Sequence, residues 1–205
     1  SSYTIENSFR KDQFKFPFIQ IAKVQKYKNV VEEKEIVYKT LHSRVLHLDA
    51  YYSNEKSINP AVVLIHGGGW KSGNKSQMES IALAIAAKGY SCFAIEYRLS
   101  AEAIYPAAVH DIIEAIQFIR KNAKQYNVDV KRVSILGCSS GGQLAALIGT
   151  TNTNSVSSVQ AIVDMDGILA FKHPESEEGK VASLWLGGDY ESKPEIWKEA
   201  SALSH

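Results

Sequence analysis

Two adjacent serines lie between glycines in the segment GCSSGG, residues 137–142. The first five of these residues match the pattern Gly-x-Ser-x-Gly with Ser139 at the centre, after an apolar run and before a helical pattern. A sharp turn from a strand into a helix exposes the central hydroxyl and brings helix N-terminal amides beside it. Ser139 is therefore the candidate nucleophile. Ser140 is expected to contribute its backbone N–H, and the hydroxyls of Ser134 and Ser140 are expected to be structural.

The pattern around Ser139 is weakly specific by itself, because a glycine-rich turn that only joins a strand to a helix would also match it. A second motif, HGGGW at residues 66–70, closes an earlier apolar run. Three consecutive glycines let the backbone turn its amides toward a neighbouring pocket, where they can stabilise an oxyanion. The predicted oxyanion-hole donors are the N–H groups of Gly68, Gly69 and Ser140. We interpret His66 as an orienting or packing residue, with direct proton transfer as the alternative.

Four motifs in this order resemble the hormone-sensitive-lipase-type branch of the α/β-hydrolases. They are HGGGW (66–70), EYRLS (96–100), YPAAVHD (105–111) and GCSSGGQLA (137–145). More narrowly, they are similar to those of bacterial acetyl-xylan and feruloyl esterase-like carbohydrate esterases. The resemblance covers residues 35–205.

The resemblance implies a serine carboxylic-ester hydrolase that releases short acyl groups, in particular acetyl groups from plant polysaccharide. It also implies that Tyr97, Arg98 and Asp111 brace the oxyanion loop. Two alternatives remain open because a fold does not fix the acyl acceptor. One is a serine peptidase or acyltransferase, and the other is a non-catalytic binding protein that keeps the glycine loops for their shape.

A serine hydroxyl needs a base, and in this fold the acid and the histidine follow the serine along the chain. Only His173 and His205 lie after Ser139. The resemblance places the family's acid and base beyond residue 205, so we expect the chain to be a truncated piece of a longer esterase. An abbreviated variant and a protein that has lost catalysis remain alternatives. Within the chain, Asp164 or Asp166 could supply the acid and His173 the base, although Asp-Gly favours a turn and a loop histidine is usually solvated.

The elements that must position these residues alternate between strand and helix. Alternating apolar residues predict two antiparallel strands that turn at His42 and Ser43, and uninterrupted apolar runs predict buried parallel strands at 61–65, 91–97, 132–137 and 159–166. Helical patterns between the parallel strands complete βαβ units. We therefore predict an α/β-hydrolase fold, a mostly parallel sheet with helices on both faces that lacks its C-terminal strands. Residues 1–205 are predicted to form one domain, with an irregular lead-in over about 1–34.

Bulk composition excludes several partner classes. The apolar share is 45%, the charged share 22% and the formal net charge +1, so no electrostatic feature favours nucleic acid. No segment has the roughly 18 consecutive apolar residues of a membrane span. Neither a metal-ligand spacing nor a P-loop is present, so no cofactor is expected. The expected partners are a small-molecule or carbohydrate ester and a C-terminal segment that completes the fold. A removed secretion signal would explain the start of the chain, which favours a periplasmic or secreted location and leaves a cytoplasmic one open.

Overall fold

A computed structural model describes residues 5–20, 24–55 and 57–205. These residues form a six-stranded sheet in the order β1-β2-β4-β3-β5-β6. The strands are β1 (Val30–Thr40), β2 (Val45–Ser53), β3 (Asn59–Ile65), β4 (Ser91–Ile95), β5 (Val128–Cys138) and β6 (Ala161–Met165). Strand β2 is antiparallel to both β1 and β4, and all other neighbours are parallel. The predicted hairpin and the mostly parallel sheet are confirmed.

Six α-helices lie in the described ranges. They are α1 (Ile5–Lys15), α2 (Glu79–Ala86), α3 (Ala107–Lys121), α4 (Ser140–Thr151), α5 (Glu177–Leu186) and α6 (Pro194–Glu199). Helix α2 packs in one apolar cluster on one face of the sheet, and α3 and α4 pack in another on the opposite face. The prediction of helices on both faces is confirmed. No helix of the described ranges is both long and apolar enough to cross a bilayer.

Strand β3 shows why the uninterrupted apolar runs fold as buried strands. Val63 and Ile65 belong to the α3–α4 cluster, whereas Val62 and Leu64 belong to the α2 cluster. Because successive side chains point to opposite faces, a strand covered on both sides needs apolar residues at every position. Each large side chain fully buried in this way contributes about 1.5–3 kcal/mol.

The expectation of an irregular lead-in over residues 1–34 is wrong in two places. Helix α1 lies inside it, and β1 begins at Val30. Phe14 of this helix is 91% exposed, so that side chain does not pack in the core as the apolar face of an amphipathic helix would. Residues 1–4 and 21–23 of that segment lie outside the described residues.

Strand β6 differs from the other parallel strands because it forms an edge of the sheet. Its side chains Ile162, Val163 and Met165 are between 39% and 45% exposed. The strand pairs with β5 along one side only within the described part of the chain. An apolar strand exposed in this way is unusual for a sheet edge, where charged or short strands are the norm.

Candidate active site

Ser139 stands at the turn from β5 into α4 with backbone angles φ 54° and ψ −121°. A non-glycine residue rarely adopts a positive φ, and such strain persists where the surroundings fix it. Its N–H donates to the carbonyl of Met165 over 2.8 Å, and its carbonyl accepts from the N–H of Gln143 over 3.0 Å. These bonds hold the strained turn between the end of β6 and the first turn of α4.

The glycines of the turn are required by close packing. A Cβ atom added to Gly137 would overlap the carbonyl oxygen of Gly141. One added to Gly141 would overlap the carbonyl oxygen of Ile65 at the end of β3. Side chains at these two positions would therefore collide with the backbone, and the second overlap shows that α4 begins directly against β3.

The oxyanion loop, residues 66–70, lies against this turn. A Cβ atom on Gly67 would be 2.8 Å from the Cys138 carbonyl oxygen and 3.2 Å from the Ser139 Cβ. The carboxyl ends of the parallel strands β3 and β5 therefore bring the two glycine motifs together at one edge of the sheet.

The three predicted donor amides, the N–H groups of Gly68, Gly69 and Ser140, make no hydrogen bond to the described part of the protein. Gly68 and Gly69 have φ values of 129° and 59°, which glycine adopts without steric cost. Gly69, Ser139 and Ser140 line a cavity of about 210 Å³, whereas Gly68 is not among its lining residues. The donor roles themselves remain predictions.

We call this space the serine cavity. Its remaining lining residues are Trp70, Ile168, Glu177, Glu178 and Val181. The loop glycine and helix α5 are in close contact, because a Cβ on Gly69 would lie 3.3 Å from the Val181 Cγ1. Apart from Trp70, these wall residues were not predicted from the sequence, since Ile168 and the α5 residues reach the site only through tertiary packing.

His66 is buried behind the loop rather than directed into the cavity. Its ring stacks on Tyr97 with centroids 4.4 Å apart, and its Nδ1 lies 2.8 Å from the Gly67 carbonyl oxygen. Burial lowers the pKa of the His66 imidazole. The Tyr97 hydroxyl donates to the His66 carbonyl over 2.9 Å. The predicted bracing by Tyr97 is confirmed, and the position of His66 agrees with a packing role.

Asp111 fixes the segment that follows Tyr97. Its buried carboxylate accepts from the Arg98 backbone N–H and guanidinium over 2.8–3.1 Å, and from Lys39 Nζ over 2.7 Å. Burial acts to raise the pKa of the Asp111 carboxyl, but the hydrogen bonds from Arg98 and Lys39 hold it below its usual value. Ser100 lies two residues after Arg98, and its N–H donates to the Trp70 carbonyl over 2.8 Å. Arg98 and Asp111 therefore support the loop indirectly, through the segment that contains Ser100, as predicted.

Gln143 is a positioning residue that the sequence analysis missed. Its fully buried amide accepts from Trp70 Nε1 over 3.0 Å and donates to the Ala200 carbonyl over 2.8 Å. Trp70 in turn stacks on Trp185, with centroids 4.9 Å apart. One side chain therefore ties the oxyanion loop to α4 and to the segment after α6. The signal for this in the sequence is a glutamine directly before the apolar run of residues 144–148.

Of the two candidate acids, Asp164 lies in β6 and Asp166 directly follows that strand, where the chain turns. Asp164 accepts from the Gly167 N–H over 2.8 Å, and Asp166 is exposed with a φ of 61°. Ser134 is structural as expected, since its hydroxyl donates to the Ala61 carbonyl over 3.0 Å.

Neither later histidine reaches the candidate nucleophile. His173 is exposed, and its Nδ1 lies 3.3 Å from Glu175 Oε1. His205 Nε2 lies 3.0 Å from the Glu199 carbonyl oxygen. Among the hydrogen bonds of the described residues, none involves the Ser139 hydroxyl. The structure therefore brings the candidate nucleophile and the predicted donor amides together, but it places neither His173 nor His205 beside them.

The described part of the chain contains no group of three or more histidine, cysteine, aspartate or glutamate residues that could hold a metal ion.

Comparison with characterised proteins gives three informative matches. Esterase LipC of Mycobacterium tuberculosis is 28% identical over 174 residues, which cover 76% of this chain and 43% of that protein. Endo-1,4-beta-xylanase B of Butyrivibrio fibrisolvens is 25% identical over 169 residues, or 78% of this chain and 27% of that protein. A solved structure described as a truncated form of carbohydrate esterase from gut microbiota has 25% identity and a TM-score of 0.74, covering 87% of this chain and 74% of its own.

The chain thus spans less than half the length of these two curated relatives. The fold agrees with the α/β-hydrolase architecture predicted from the motifs. A family model described as BD-FAE matches residues 48–205, which include both glycine motifs and every residue of the serine cavity. This match shows that the chain belongs to the BD-FAE family.

Proposed function

We propose that the protein is a serine carboxylic-ester hydrolase with Ser139 as nucleophile. The observation that carries the proposal is the strained Ser139 facing a cavity beside amides that donate to no protein group. In this scheme the Ser139 oxygen attacks the ester carbonyl, and the amides of Gly68, Gly69 and Ser140 hold the oxyanion. Each donor contributes about 2.7–4 kcal/mol of transition-state stabilisation.

The base and acid are proposed to come from a segment outside these 205 residues. The base takes the Ser139 proton during attack and gives it to the departing alcohol, after which water releases the acyl group. Two observations support an external base. No hydrogen bond of the described residues reaches the Ser139 hydroxyl, and β6 leaves apolar side chains exposed at the sheet edge beside the site.

The acyl group is proposed to be short, with acetyl as the favoured case. The serine cavity measures about 210 Å³ and is walled by Trp70, Ile168 and Val181 close to the oxyanion loop. The relatives described as a carbohydrate esterase and a xylanase favour plant polysaccharide as the source of the ester.

The test is hydrolysis of p-nitrophenyl acetate by the 205-residue chain and by the longer protein of which it is proposed to be part. Acetyl p-nitroanilide and an added alcohol acceptor separate the peptidase and acyltransferase alternatives. We expect ester hydrolysis by the longer protein and its loss in S139A, with S140A retaining activity. Hydrolysis of the anilide at a comparable rate, acyl transfer in preference to hydrolysis, or no turnover at all would each contradict the proposal.

A further inference from the structure

A second cavity adjoins the serine cavity. It measures about 300 Å³ and shares Ile168 and Glu178 with the first. Its other lining residues are Ala170, Phe171, Lys172, His173, Ser176, Gly179 and Trp197. We call it the side cavity. Because Ile168 and Glu178 line both spaces, the side cavity lies directly beside the serine cavity.

The two cavities differ in chemistry. The serine cavity is lined by Gly69, Ser139 and Ser140, by the apolar walls Trp70, Ile168 and Val181, and by the carboxylates Glu177 and Glu178. Its apolar walls beside Ser139 suit a small acyl group. The side cavity combines the buried aromatic rings of Phe171 and Trp197 with polar and charged groups at its rim. An ester consists of an acyl half and an alcohol half. The side cavity is therefore the space suited to the alcohol half.

The charges at the rim indicate a neutral, polyhydroxylated alcohol. The Lys172 ammonium can only donate hydrogen bonds, and the Glu178 carboxylate can only accept them. Together they can bind sugar hydroxyl groups that act as acceptors or as donors. Their opposite signs give no net attraction for an ion. The apolar groups Ile168 and Phe171 beside them can pack against the C–H faces of a sugar ring.

The rim is held in place before any ligand binds. The Ser176 hydroxyl donates to the His173 carbonyl over 2.8 Å and accepts from the Gly179 N–H over 3.0 Å, which caps α5. A Cβ on Gly179 would overlap the His173 carbonyl oxygen, so the loop and helix are in direct contact. A preorganised rim loses less entropy on binding than a mobile loop does.

We propose that the side cavity binds the alcohol portion of the ester, a neutral carbohydrate, and that Lys172 and Glu178 determine specificity for it. This inference rests on the proposed ester hydrolysis at Ser139. It adds to that function the position of the leaving group and the residues that recognise it.

The experiment compares two esters that share the acetyl group, p-nitrophenyl acetate and an acetylated xylo-oligosaccharide, in the longer protein. We expect K172M and E178Q each to raise the ratio of KM for the oligosaccharide to KM for p-nitrophenyl acetate about tenfold over wild type, as loss of a charged hydrogen bond to the alcohol half predicts. The matched controls are K88M and E191Q, which replace exposed residues that line neither cavity. They should leave KM for both esters unchanged.

A binding measurement separates failure of the inference from failure of the proposed function. Titration calorimetry of S139A with the acetylated oligosaccharide should give a Kd that K172M and E178Q weaken about tenfold. If wild type hydrolyses p-nitrophenyl acetate but the two variants leave oligosaccharide KM and Kd unchanged, the assignment of the side cavity is wrong while the hydrolase stands. If wild type hydrolyses neither ester, the proposed function fails, and unchanged Kd values would then reject the side cavity separately.

Discussion

Trp70 Nε1 lies 3.0 Å from Gln143 Oε1, so a buried hydrogen bond joins the oxyanion loop to the helix that follows Ser139. The two residues are far apart in sequence, and their bond fixes one half of the candidate site relative to the other. The Gln143 Nε2 bond to the Ala200 carbonyl extends the same connection to the segment after α6.

Replacing Gln143 by Leu leaves the Trp70 N–H and the Ala200 carbonyl without partners. We expect a loss of about 1–3 kcal/mol of unfolding free energy for each unsatisfied group. A double-mutant cycle with W70F, measured by urea denaturation, isolates the Trp70 bond because W70F removes the donor. The loss in the double variant should fall short of the sum of the single losses by about 1 kcal/mol. Strict additivity would show that this hydrogen bond contributes nothing.

Gly137 and Gly89 provide a matched pair for the steric argument at the turn. A Cβ on Gly137 meets the Gly141 backbone, whereas one on Gly89 meets nothing within 4 Å, although Gly89 has a φ of 89°. G89A should therefore show backbone strain alone, about 1–2 kcal/mol. G137A should cost about 3 kcal/mol or more because α4 must move. Equal losses of unfolding free energy in urea would refute the proposed overlap.

Asp111 and Glu114 test the buried ion pair, because Lys39 Nζ lies 2.7 Å from a carboxylate oxygen of each. The Asp111 side chain is fully buried and that of Glu114 is 46% exposed. D111N leaves two cations without their buried partner and should cost about 3–5 kcal/mol. E114Q should change the unfolding free energy by about 0–1 kcal/mol. Thermal and urea unfolding measure both losses. If E114Q lowers the unfolding free energy as much as D111N does, the buried ion pair does not have the role assigned to it.

His66 predicts a pH dependence of stability. Burial lowers its pKa in the folded protein below the ordinary value of 6.5, so the unfolded chain binds the proton more readily. The unfolding free energy should therefore decrease as the pH falls below 6.5 and level off below the folded pKa. Urea denaturation between about pH 7.5 and about pH 5 measures this slope.

The control for His66 is H66N, which keeps a donor near the Gly67 carbonyl but does not titrate in this range. The variant should show a smaller decrease in unfolding free energy than wild type does over the same pH interval. If both proteins lose stability equally, His66 is not the group responsible.

Local patterns predicted the fold well, because each depends on residues close in sequence. The apolar run of β3 and the helical period of α3 each correspond to residues that the structure buries. The glycines Gly137 and Gly141 occur where the two backbone segments pack closely. Helix α1 was missed, and its Phe14 is 91% exposed, so that side chain takes no part in the core that helical patterns report.

The parts of the site that were missed depend on contacts between distant segments. Gln143 gains its role only when Trp70 and Ala200 arrive beside it. Ile168 and Glu178 line both cavities because the loop after β6 and helix α5 fold over the ends of β3 and β5. No spacing along the chain encodes such an arrangement.

The most direct measurement is the site of covalent labelling by a fluorophosphonate in the longer protein, located by peptide mass spectrometry. An activated serine beside an oxyanion hole forms such an adduct, whereas ordinary surface serines do not. We predict a single adduct on Ser139, retained in S140A and absent in S139A. No adduct in the folded wild-type protein, or an adduct on another residue that persists in S139A, would contradict the assignment of Ser139 as the nucleophile.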